Sequence, residues 1–295
     1  MGFLLTRIIS FSLLCLFPFS LLASDLSEQD MPPEEGNFVL PHSQALRPLI
    51  AFGQNILPEG VLVTYLYVDD FWKSRGYFVD LFPAFVYGIS DDLAMMLQIP
   101  VSPGLKIDQE TSAGLEDIPL LFEYAYYEGQ NSSWVDKATI VAGGTFPTGS
   151  ISEEPETGNG APGIFLGGTY YRTYVNWYGF ISPGMLLTTS SNKTKYGNTF
   201  FYQAGVGRNI CDIGKEWIFS WITEMDGFYS EKNKINGVTN PNSGENVIYL
   251  TPSLRIRSSR FAFQVGMGVP IIQQLNGNQP REVYYLGGAV SWSFH

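Results

Sequence analysis

The stretch Phe261-Ala262-Phe263-Gln264-Val265-Gly266-Met267-Gly268-Val269-Pro270-Ile271 decides the fold. Every odd position is large and apolar, and every even position is small or polar. A period of two places successive side chains on opposite faces of a strand, so this strand has one bulky apolar face and one slight, polar one. The last segment repeats the pattern. Tyr284, Leu286, Val290, Trp292 and Phe294 share a face with Gly288, while Tyr285, Gly287, Ala289, Ser291 and Ser293 share the other. In a soluble sandwich the apolar face would turn to a core and leave glycine and serine to water. In a transmembrane barrel the apolar face meets lipid and the other face lines a lumen.

Working outward, twelve such segments are expected near 60–68, 77–87, 93–101, 118–127, 137–146, 163–172, 177–188, 198–209, 217–228, 246–257, 261–272 and 282–294. Their connections alternate. The short side includes Gly88 to Asp92, Thr173 to Asn176 and Ser258 to Arg260. The long side includes Asp69 to Gly76, Ser102 to Asp117, Pro147 to Pro162, Thr189 to Gly197, Ser230 to Glu245 and Gln273 to Arg281. Short periplasmic turns, long external loops and an even strand number are the signature of an outer-membrane barrel. The expected class is all-β, a transmembrane up-and-down antiparallel β-barrel of about 12 strands. Tyr65, Tyr67, Tyr77, Tyr87, Tyr126, Tyr170, Trp177, Trp217 and Tyr284 are candidates for its aromatic girdles.

Composition agrees. Of 295 residues, 45% are hydrophobic and 15% aromatic, and only 15% are charged, against about 25% charged in an average soluble domain. Such aromatic content excludes disorder, and the net charge of -11 argues against nucleic acid as a partner. The two cysteines, Cys15 and Cys211, give no disulfide framework. Arg7 precedes a short apolar run that closes on Ala23 and Ser24, which has the order of a secretory signal peptide over 1–23. Residues 24–59 then form a periplasmic N-terminal extension, and 60–295 the barrel. The simplest state of that extension is a flexible leader; a sharper one has Leu46 to Phe52 tucked into the periplasmic mouth as a partial plug.

Several short motifs carry a resemblance. Leu57-Pro58-Glu59-Gly60, Tyr87-Gly88-Ile89-Ser90-Asp91-Asp92-Leu93, Phe146-Pro147-Thr148-Gly149-Ser150, and Thr251-Pro252-Ser253-Leu254-Arg255-Ile256-Arg257 before Gly268-Val269-Pro270 resemble outer-membrane barrels of the MetA-pathway of phenol degradation family. The resemblance spans 57–295. It implies a transporter that takes up or exports small aromatic compounds, and it brings no catalytic residue with it. Gly114-Leu115-Glu116-Asp117 is close to the family's glycine and acid at the fourth strand without matching it fully.

Candidate chemistry is sparse. The only histidines are His42 and His295, neither placed in a strand where a Ser/His pair or a metal site could be held. No enzyme, metal or cofactor is expected. Strand parity instead sends Asp80, Glu123, Glu224, Arg255 and Arg257 to the lumen, where a carboxylate layer would favour cations. Trp292 and Phe294 form an expected signal for the barrel insertion machinery. The function read from these residues is a bacterial outer-membrane channel or transporter for small, apolar or aromatic solutes, with membrane lipid as its surroundings. The alternative is a structural or surface-interaction barrel whose external loops bind a partner.

Overall fold

The computed structural model describes residues 36–214 and 216–294. The signal peptide over 1–23 and His295 lie outside the described residues. From the first strand onward, alternation of apolar and slight residues builds β1 (Leu62–Lys73), β2 (Gly76–Ser90), β3 (Leu93–Gln98), β4 (Val101–Ile107), β5 (Glu110–Leu115), β6 (Ile118–Gln130), β7 (Trp134–Phe146), β8 (Gly163–Tyr174) and β9 (Trp177–Thr188). The short pieces β10 (Ser190–Ser191) and β11 (Thr194–Lys195) precede β12 (Thr199–Ile213) and β13 (Trp217–Ser230). After β14 (Lys234–Ile235) and β15 (Val238–Thr239) the chain ends with β16 (Glu245–Arg257), β17 (Phe261–Leu275) and β18 (Glu282–Phe294).

Twelve of these strands form a closed antiparallel barrel wall. Neighbours in sequence are neighbours in the wall, and β1 closes it by pairing with β18 from Leu62↔Phe294 to Lys73↔Glu282. Closure leaves no free sheet edge, which is what lets strands cross a bilayer. Parity then fixes the faces: Phe263, Val265, Met267, Val269 and Ile271 of β17 are exposed on the outside, and Ala262 and Gln264 are buried within. The chain is an outer-membrane β-barrel.

Two expected loops are partly strand. The stretch Asp69 to Gly76 is a tight turn at Ser74-Arg75, because β1 and β2 pair as far as Lys73↔Gly76. Trp72 extends the pairing, its ring 5.7 Å from Tyr77 and 5.8 Å from Tyr284. The stretch Ser102 to Asp117 folds into the β4–β5 hairpin, which turns at Asp108 with φ 55°. Farther out, β10, β11, β14 and β15 pair into a separate four-stranded sheet at the long-loop end.

The largest departure is in the extension. Residues 42–57 do not hang below the barrel; they run inside it. Leu46, Leu49, Ile56 and Leu57 are buried to 6% exposure or less. Each joins a cluster with wall residues: Leu46 with Tyr171, Tyr178, Phe180 and Ile222; Leu49 with Val247, Tyr249 and Tyr285; Ile56 and Leu57 with Val63, Val86 and Ala94. The apolar core of this molecule is the contact between the extension and the wall. Burying four such side chains contributes about 1.5–3 kcal/mol each, which outweighs leaving them in the periplasm.

Candidate functional site

The inserted segment enters and leaves at the same end. Asn37 donates its backbone N–H to the Val175 carbonyl in the short β8–β9 turn, at 2.6 Å. At the other limb, Gly60 and Gly88 join through Gly60 N–H to Gly88 O at 2.9 Å, at the foot of β2. Between them the chain rises and turns at Gly53 and Gln54, with φ of 82° and 65°. A left-handed pair makes the reversal tight, and Gly53 is required twice over, since a Cβ there would lie 2.3 Å from Thr169 Cγ2. The segment is a hairpin-like plug with its apex at Phe52-Gly53-Gln54.

Two lumenal carboxylates hold its backbone. Glu224, on β13, accepts the N–H of Leu49 at Oε1 (2.5 Å) and those of Ile50 and Ala51 at Oε2 (3.1 and 3.2 Å). Across the lumen Glu123, on β6, accepts the N–H of Gln54 (2.8 Å) and Asn55 (2.9 Å) and the Thr139 hydroxyl (2.7 Å). Gln203 accepts the Phe52 N–H between them, at 3.2 Å. Each carboxylate accepts at both of its oxygens. Around the apex, where the plug has no regular secondary structure, the two carboxylates accept five backbone N–H groups that would otherwise enter the barrel unpaired.

Glycines clear the space for the plug's side chains. Phe52 lies where a Cβ on either Gly167 or Gly184 would stand, 2.7 Å away in each case. Its ring meets Phe165 edge-on at 4.9 Å and Phe201 at 6.3 Å. Gly266 does the same for Leu49 at 2.8 Å, and Gly207 approaches Leu46 at 3.1 Å.

The expected lumenal residues are therefore placed as follows. Glu123, Glu224, Arg255 and Arg257 are buried in the barrel interior. Arg257 donates to the Gln44 carbonyl (3.0 Å) and to Asn37 Oδ1 (2.5 Å), so it anchors the plug's first limb. Arg255 donates to Gln264 Oε1 at 3.0 Å. Asp80 stands apart at the long-loop end, directly across from Asp69. Beside it in the loop, Glu116 is pushed up to about 9 by burial and by the neighbouring Asp80. Glu123 and Glu224 do not stand open to the lumen: both accept backbone N–H groups of the plug. Trp292 and Phe294 are exposed on the outer face, stacked at 5.4 Å, with Phe261 4.7 Å from Trp292.

Sequence parity found the inward acids and missed Arg47, Gln203 and the glycine slots. Arg47 lies in the plug, buried, with Nη1 2.6 Å from the Tyr65 hydroxyl. Among the described residues no group of three or more His, Cys, Asp or Glu could hold a metal ion.

The fold has solved counterparts. The structure of the COG4313 outer membrane channel from Pseudomonas putida F1 superposes with a TM-score of 0.69 at 13% identity, over 84% of this chain and 100% of that one. This chain shares its fold. The KdgM porin follows at a TM-score of 0.40 and 8% identity, covering 78% of this chain and 99% of that one. LpxR from Salmonella typhimurium gives 0.42 and 10%, covering 79% and 99%. No protein-family model matches the chain, and no curated protein does.

Proposed function

We propose that this chain is an outer-membrane channel for small apolar or aromatic solutes, closed by its own N-terminal segment. The observation that carries the reading is the plug itself: a twelve-stranded wall is wide enough to leave a lumen, and here a separate segment fills it through reversible contacts. Its withdrawal would expose Phe165, Tyr171, Tyr178, Phe180 and Phe201, an aromatic lining suited to apolar solutes. The motif resemblance to the phenol-degradation barrels and the channel from Pseudomonas putida F1 support the same reading. Single-channel recording of the full chain beside a form lacking 37–58 tests it. A low conductance that rises several-fold on deletion, with uptake of a neutral aromatic such as phenol into vesicles, is expected. A deleted form that inserts yet neither conducts nor admits phenol would refute it.

The small sheet of β10, β11, β14 and β15 favours a second reading, a barrel whose external loops dock a partner. Removing 190–195 and 234–239 separates the two, because a channel keeps its conductance without them.

A further inference from the structure

On the outer face of the wall, beside the short β8–β9 turn, an apolar groove lies between two arginines. Parity turns Tyr170, Arg172 and Tyr174 of β8 outward together with the exposed Ile164 and Leu166. It does the same for Trp177 and Ile181 of β9 and for Val206 and Arg208 of β12. Pairing sets Gly179 between Arg172 and Val206, so the middle of that row carries no side chain. The resulting groove measures about 620 Å³ and is lined by Tyr170, Arg172, Tyr174, Trp177, Ile181 and Val206, a size that suits a bound small molecule. On one side Arg172 is held by Asp136, a fully buried carboxylate, at 2.5 Å, and covers the Trp134 ring at 4.3 Å. The Tyr170 hydroxyl donates to the same carboxylate at 2.8 Å. On the other side Arg208 pairs in register with Trp177, one row nearer the turn, and its guanidinium lies 5.0 Å over that ring. Arg208 is exposed and forms no ion pair among the described residues.

The charges beside the groove do not cancel. Asp136 balances Arg172, and Arg208 leaves one positive charge next to an apolar surface that faces the membrane. Short turns lie on the periplasmic side of such barrels, and Trp177, packed edge-on against Trp221 at 6.1 Å, marks headgroup depth there. We propose that the groove binds one anionic glycerophospholipid of the periplasmic leaflet. Its phosphodiester sits on Arg208, and an acyl chain lies over Gly179, between Arg172 and Val206, toward Ile181. A phosphatidylglycerol headgroup supplies the single negative charge that the site lacks, whereas a zwitterionic headgroup brings an ammonium of its own to the same phosphate. The guanidinium fork matches phosphate oxygens in geometry as well as charge. Loosely associated lipid needs none of this arrangement. Here the one row without a central side chain adjoins the one outward arginine without a carboxylate, and the Trp177 ring already positions that arginine, which lowers the cost of ordering it on binding. The site stands on the wall alone, so it is independent of the plug and of the channel reading.

Native mass spectrometry of lipid binding tests the site. The full chain, stripped of lipid in nonionic detergent, is offered dioleoyl phosphatidylglycerol and dioleoyl phosphatidylcholine in equal amounts. One bound phosphatidylglycerol per chain, preferred several-fold over phosphatidylcholine, is expected. Arg208→Gln should remove that preference. Arg260→Gln, exposed in the short β16–β17 turn, takes a charge from the same end of the barrel and should leave the preference intact. A Cβ at Gly179 would have the Gly205 carbonyl oxygen as its neighbour, at 3.7 Å. Gly179→Val therefore fits the wall while filling the groove, and it should lower occupancy by both lipids several-fold. The site is overturned by no bound lipid, by equal occupancy of the two lipids, or by several phosphatidylglycerols binding alike. Equal losses in Arg208→Gln and Arg260→Gln, or undiminished binding in Gly179→Val, overturn it as well. A mass of two chains without lipid would give the groove to a second copy and overturn the lipid site. Should Gly179→Val fail to insert, the comparison of Arg208→Gln with Arg260→Gln still decides.

Discussion

Glu224 shows how one side chain can decide what a lumen does. It is fully buried and accepts three consecutive backbone N–H groups of the plug. Glu224→Ala leaves those donors inside the barrel without an acceptor, at a cost of about 3 kcal/mol or more against the docked plug. The wall strands keep their ladder, so the variant should still assemble and change gel mobility on boiling, while a protease added from the periplasmic side cuts within 37–58 faster than in the unaltered chain. Equal protection of both would remove Glu224 from the clamp. The glycine slots give a complementary test. A Cβ at Gly184 would come 2.7 Å from Phe52 and 3.1 Å from Phe165, so Gly184→Val should overpack the apex by about 1–3 kcal/mol. Adding Phe52→Ala should recover part of that loss, a coupling that a thermal double-mutant cycle measures. A strictly additive pair of effects would show that the glycine serves the wall alone. Period-two reading placed Glu123 and Glu224 inward, yet it could not tell an acid facing water from one facing a backbone, since alternation carries direction and not occupancy.

At the level of elements, the twelve wall strands were legible because each carries its own alternation and pairs with a neighbour close in sequence. The plug was not. Its partners lie far along the chain: Leu49 meets Glu224 and Gln54 meets Glu123, and no local period announces such pairing. What the sequence did show was an apolar run from Leu46 to Phe52, broken by Arg47 and Pro48, which suggested a tuck at the mouth and stopped short of a rise through the barrel. The same element should respond to acid. His42, in the short 3-10 turn His42–Gln44, is held down to about 3 by burial, with Lys137 and Arg47 opposing its protonation. Lys137 is paired with Glu128 at 2.8 Å. A histidine with its value depressed in the docked state binds its proton more readily once released, so docking is favoured above about 6.5 and weakens as pH falls from there toward 3. Conductance of the full chain should therefore rise on acidification through that window, and His42→Gln, neutral throughout, should flatten the rise. A response of the same size in His42→Gln would assign the effect to other groups.

For the whole molecule, two properties follow from how wall and plug are divided. Trp292 and Phe294 belong to the wall, stacked on its outer face at the final short-turn end. Phe294→Asp puts a charge on that face and should lower the amount of heat-modifiable protein in outer membranes, with degradation in the periplasm; unchanged assembly would show that the terminal aromatics are not a signal. Ion selectivity depends on both parts. In the closed molecule Glu123 and Glu224 are engaged by plug N–H groups, while Arg47 and Arg255 retain buried donors without an acceptor among the described residues. The lumenal charge that the plug's backbone does not engage is thus positive, despite the chain's net charge of -11. Deleting 37–58 removes Arg47 and uncovers both carboxylates in one step, leaving Arg255 and Arg257 lower in the wall. Low-dielectric walls magnify such a change, because fields between fixed charges are poorly screened there. Reversal potentials across a salt gradient should accordingly show little cation preference, or a slight anion preference, in the full chain, and a clear shift toward cations after deletion. Introducing Glu123→Gln and Glu224→Gln into the deleted form should reverse most of that shift. Identical reversal potentials before and after deletion would mean that the external loops, with Glu153, Glu154 and Glu156 among them, set selectivity and that the plug's exchange of charges has no part in it.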